Sequence, residues 1–115
     1  MKRYEVDHDW AWGTKRPGDP VTLRGTFTFD DAATAKQAVA AFFADLEEAN
    51  GFHGSGGWVA CEAGNANSGR SRMIDFVAGG EDVADAVGYA ADEAYEHFAA
   101  YDGATAEWEQ RPYEA

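Results

Sequence analysis

Residues 21–29 alternate strictly: Val21, Leu23, Gly25, Phe27 and Phe29 form one set, Thr22, Arg24, Thr26 and Thr28 the other. A period of two marks a half-buried strand, and these residue types suit one. Residues 4–12 repeat the pattern, with Tyr4, Val6, His8, Trp10 and Trp12 set against Glu5, Asp7, Asp9 and Ala11, and so predict an earlier strand. The stretch 13–20, with two glycines and two prolines, reads as the loop between them. The period then changes. Ala35, Val39, Phe42, Phe43 and Leu46 share one face of a helix that Asp30 or Asp31 would cap and Asn50-Gly51 would end.

The glycine-rich stretch 51–57 reads as a flexible connection. Residues 58–63 and 72–78 form a hairpin across a polar loop at 64–69. A second helix is expected over 81–101, burying Val83, Val87, Ala90, Ala91, Ala94, Phe98 and Tyr101, with Asp102-Gly103 as its stop. Residues 105–110 alternate once more, and 111–115 form a loose tail. The predicted order is β-β-α-β-β-α-β over a single α+β domain, residues 1–115. Without its first strand this is a ferredoxin-like two-layer sandwich: an antiparallel sheet of four or five strands with two amphipathic helices on one face.

Composition changes the picture in two ways. Isoleucine, leucine, valine and phenylalanine together occupy only 17 of 115 positions, while alanine occupies 23. Four tryptophans, five tyrosines and seven phenylalanines supply the missing volume, so the expected core is alanine on the helices and aromatic on the strands. The charge is −12, from 21 acids against nine lysines and arginines. Such a balance argues against direct nucleic-acid binding, which needs a basic patch. No apolar run is long enough to span a membrane, no signal peptide is recognisable, and a single cysteine, Cys61, fits a cytoplasmic protein. Cys61 is expected to be buried as a small apolar residue.

Much of the acid is concentrated. Asp82, Asp85, Asp92, Glu93 and Glu96 fall within an arc of ~100° on the second helix, opposite its apolar stripe. No lysine or arginine lies between Arg72 and Arg111 to relieve them. Like charges at these spacings cost ~0.2–0.5 kcal/mol per pair. The five charges span ~21 Å of helix at ~1.5 Å per residue, one per ~4 Å against one per ~1.7 Å in duplex DNA. Asp45 and Glu48, placed on the first helix, would thicken this sparse imitation of a phosphate backbone.

Three functional readings follow. The leading one is a small, non-enzymatic protein that docks a basic protein surface, of the inhibitor, immunity or phage counter-defence type, through these seven acids. The second is a dimeric ferredoxin-like domain that binds a small ligand between sheet and helices or serves as an accessory enzyme, pairing through its open sheet face; Trp10 and Trp12 are its candidate interface aromatics. The third is a halophile protein whose acidity is solvation alone. No sequence pattern calls for a cofactor, a catalytic group or a metal. Glu93 and His97 stand at i,i+4 on one helix, but a zinc site needs further ligands that no spacing supplies.

Overall fold

The computed structural model describes residues 1–12, 19–49, 52–55, 57–63, 69–79 and 82–111. Strand β1 (Val21–Thr28) sits inside the sheet, and its alternation is expressed directly: Val21, Leu23, Gly25 and Phe27 are buried while their neighbours are half-buried. It pairs antiparallel with β5 (Ser71–Ala78) on one side and with β6 (Thr105–Gln110) on the other. On the sheet face opposite the core, Arg24 grips Asp75 with two hydrogen bonds, 2.8 and 3.1 Å long. That fork geometry fixes the β1–β5 register from the second side.

Helix α2 (Ala32–Ala44) begins where Asp31 accepts from the Thr34 amide at 2.7 Å. It ends well before Asn50-Gly51. The amides of Asp45 and Leu46 turn back to the carbonyls of Ala41 and Phe43, returning Leu46 toward the core. The chain then extends as β2 (Glu47–Ala49), which pairs with β3 (Phe52–Ser55). A short, charged strand is a usual edge for a sheet. The glycine-rich stretch therefore contributes a strand where a flexible connection was expected. A side chain at Gly54 would run into the Trp58 carbonyl, so only glycine lets β3 approach β4 (Trp58–Glu62) here.

The described strands form one six-stranded antiparallel sheet in the order β2-β3-β4-β5-β1-β6. The expected four or five strands become six because β2 and β3 extend the β4 edge. The strand predicted at the N-terminal end is absent. Residues 1–7 are irregular, and α1 (His8–Trp12) is a short helix on which Asp7 accepts from the Trp10 amide at 3.2 Å. Its one fully buried residue is Ala11, from the set the alternation had turned outward. The aromatic positions of this segment are satisfied by their polar ends instead of by strand pairing. Tyr4 donates to Gln110 (2.8 Å) and Trp10 to the Arg111 carbonyl (3.0 Å), while Trp108 donates to the Lys2 carbonyl (2.9 Å).

Helix α3 (Val83–Phe98) buries Val83, Ala84, Ala86, Val87, Ala90, Ala91, Ala94 and Phe98. Alanines dominate this stripe, so the helix lies close to the sheet and the rings fill the space between. Phe98 lies 4.4 Å from Phe27, 5.2 Å from Phe42 and 5.7 Å from Phe29, measured between ring centroids. Trp58 is buried, and Trp108 packs against the core with its ring edge-on to Phe27. The core is thus alanine helix against aromatic strand, as the composition requires. Gly103, at φ +76°, provides the left-handed turn that leads from the end of α3 toward β6. Among the described residues no helix is long and apolar enough to cross a membrane.

Candidate interaction surface and cleft

The apolar stripe of α3 faces the sheet, so its opposite side faces solvent: Asp82, Asp85, Asp92, Glu93 and Glu96 are all exposed. Asp82 is the N-cap residue but makes no side-chain capping bond, and Asp85 lies in the first turn. Carboxylates there meet the positive end of the helix dipole, which accounts for them structurally. Glu96 has no such account. It stands in the last turn, where a negative charge opposes the dipole by ~0.3–1 kcal/mol.

One cation reaches this face from outside the helix. Arg3 places Nη1 3.1 Å from Asp92, and its guanidinium sits 4.1 Å from the centre of the Tyr95 ring. Both partners of the ion pair are about half exposed, 54% and 53%, so the pair is worth less than ~1 kcal/mol. A further residue shares the arc and was not singled out from sequence: Tyr89, 62% exposed, between Glu96 and Asp82 in helical projection. The signal was available, because Tyr89 belongs to the arc opposite the apolar stripe.

The other expected site residues scatter. Asp45 is the C-cap of α2 and Glu48 lies on the edge strand β2, 3.7 Å from His53 Nε2, so neither is on a helix. Trp10 is half-buried with its indole nitrogen bonded, whereas Trp12 remains 46% exposed. His97 donates Nε2 to the Ala38 carbonyl at 3.0 Å and packs edge-on to Phe98, joining the two long helices. Cys61 is exposed, contrary to expectation, because it points to the same sheet face as Asp75, its register partner. Partial burial of the thiol, and secondarily the Asp75 carboxylate, push its pKa up, which suppresses thiolate chemistry.

Between α2 and strands β3, β4 and β5 lies a cleft of about 540 Å³. Val39, Ala40, Phe43 and Ala60 give it apolar walls, and Lys36, His53, Glu62 and Arg72 its polar groups. These residues are far apart in sequence and meet only because β3 extends the sheet under α2. Arg72, with a side chain only 12% exposed, donates to Glu62 at 2.6 Å. Its Nε and the Nδ1 of His53 are both buried without a hydrogen-bond partner among the described residues. Leaving a buried polar group unpaired costs about 1–3 kcal/mol. The His53 ring stands edge-on to Phe43 at 5.6 Å. Comparison of the chain with protein-family models, with curated proteins and with solved structures gives no significant match to any of them.

Proposed function

We propose that this is a small, non-enzymatic binding protein that docks a basic protein surface through the outer face of α3, in a cytoplasmic setting consistent with one unpaired cysteine. The observation that carries the reading is Tyr89, an exposed aromatic ring lying in an arc of carboxylates. Tyrosine is favoured at the centre of protein interfaces because it combines a large contact area with a polar tip. The flanking acids supply charge complementarity and faster encounter with a positive partner. Asp85, Asp92, Glu93 and Glu96 with Tyr89 form the core of the surface; Asp45, Glu48 and Trp12 fall outside it.

The layout that presents this surface is proposed to be ferredoxin-like. Supporting this, β1, α2, β4, β5, α3 and β6 follow in the order β-α-β-β-α-β, and their strands lie side by side as β4-β5-β1-β6. On this reading β2 and β3 are an added edge hairpin.

The test compares wild type with Tyr89→Ala and with Asp85→Lys plus Glu96→Lys in capture of a basic protein from the native host. Both variants should lose at least tenfold in affinity for the captured protein, about 1.4 kcal/mol. Capture that survives both variants sinks the docking reading. Unfolding of the wild type in low salt, with recovery at molar salt, favours the halophile reading instead.

A further inference from the structure

We propose that the cleft between α2 and strands β3, β4 and β5 is a binding site for a small monoanionic carboxylate carried on an apolar body. This goes beyond docking through α3 and does not depend on it. The first ground is electrostatic. In a chain of net charge −12, the described lining of the cleft gathers Lys36 and Arg72 against one carboxylate, Glu62; Glu48, which faces His53 Nε2 at 3.7 Å, lies outside that lining with its side chain 64% exposed. Two cations and one anion leave one positive charge, a match for a monoanion. Lys36, exposed on α2, lines the cleft and has no ion pair among the described residues.

The second ground is polar satisfaction. Arg72 Nε and His53 Nδ1, on residues that line the cleft, are buried and unpaired among the described residues. Native proteins seldom keep such groups unless an ion, water or ligand completes them. A carboxylate seated in the cleft offers acceptor oxygens to the Arg72 guanidinium, whose Nε–H has no partner among the described residues.

The third ground is shape. A cleft of about 540 Å³ lies within the usual range for small-molecule sites, and its remaining walls are apolar. Val39, Phe43 and Ala60 would enclose a ring or short alkyl chain. A bare phosphate leaves that surface uncovered and brings more negative charge than the cleft balances.

The experiment titrates the isotope-labelled full chain with benzoate, with benzamide as its neutral isostere, and with inorganic phosphate, following amide shifts by NMR. Benzoate should saturate in the millimolar range with shifts centred on Val39, Phe43 and Ala60, and bind about fivefold or more tighter than either comparator. Lys36→Met, an exposed change on α2, should weaken benzoate by a similar factor and leave benzamide unaltered. Glu62→Gln, which frees Arg72, should tighten benzoate. Unmoved shifts on β6 verify that each variant is folded. The proposal is overturned if benzamide or phosphate binds as well as benzoate, if shifts scatter over the surface, if no saturation is reached by about 20 mM, or if the two variants fail to move affinity in opposite directions.

Discussion

Reversing charge at two positions of the α3 face should move stability in opposite directions. Asp85 is in the first turn and Glu96 in the last. A carboxylate is worth ~0.3–1 kcal/mol at the N-terminal end of the dipole, and a cation is worth the same at the C-terminal end. Asp85→Lys therefore swings the dipole contribution against folding by ~0.6–2 kcal/mol. It also turns one repulsive pair, with Asp82, into an attractive one, returning ~0.4–1 kcal/mol. The net is a loss of about 0.5 kcal/mol.

Glu96→Lys gains on both counts. The dipole swing favours folding, and two repulsions, with Asp92 at i,i+4 and Glu93 at i,i+3, become attractions. Arg3 already occupies Asp92, which discounts one of them. About 1–2 kcal/mol of stabilisation remains at low salt. For a domain of this length, 1 kcal/mol corresponds to roughly 4–8 °C in Tm. Thermal unfolding followed by circular dichroism in ~10 mM salt should thus show Asp85→Lys slightly below wild type and Glu96→Lys clearly above it. The double variant should melt at or above wild type. The differences should shrink at ~0.5 M salt, where exposed charges are screened within a few ångströms. Two single variants that shift the same way, or a gap indifferent to salt, would refute the electrostatic account of α3.

Phe98→Ala should cost about 3–5 kcal/mol by urea denaturation, toward the upper end because alanines on α3 cannot close the cavity, while Phe98→Leu should cost well under half as much. Gly25→Ala should destabilise by about 1–3 kcal/mol, since the added Cβ would lie 2.7 Å from the buried Phe27 ring and 3.1 Å from Trp108. The Asp31 carboxyl is held below its ordinary value of 3.8 chiefly by the Thr34 amide. The stability it contributes is complete above that value and is lost as pH falls through the lowered one; acid titration of Asp31→Asn should show a shallower loss that meets the wild-type curve at the acid end. Iodoacetamide should alkylate Cys61 more slowly than free cysteine at pH 8, and Asp75→Asn should speed it; equal rates would remove the proposed effect of Asp75.

The elements that were legible in the sequence are those whose side chains alone define a face. β1 and β6 alternate cleanly, and the stripe from Val83 to Phe98 is periodic enough to locate α3. Residues 4–12 mimic a strand because aromatic groups at every second position need burial. Trp10 obtains its bond from the Arg111 carbonyl across a helix turn, which alternation cannot distinguish from a pleat. Asp7, three residues before Trp10, is the capping signal that alternation obscured. β2 and β3 were hidden for another reason: glutamate and glycine have poor strand propensity, and their pairing is imposed by the neighbouring β4 edge. Acids on α3 were readable as a group because they share one helix. The cleft was not, since Lys36, His53, Glu62 and Arg72 meet only through the pairing of β3 with β4 and of β4 with β5 and the placement of α2.

The contacts of the segment before β1 also set an order of assembly. Tyr4 and Gln110 are separated by 106 positions, so closing that loop directly from an open chain is entropically slow. Once β6 has docked on β1, with Arg111 bonded to Thr22, the open stretch is only that between Trp10 and Val21. Closure then becomes easier by roughly 2 kcal/mol, from the logarithmic dependence on loop length. The segment is therefore a late fastening that forms after the sheet is complete. When the segment releases, Arg3 leaves Asp92 with it.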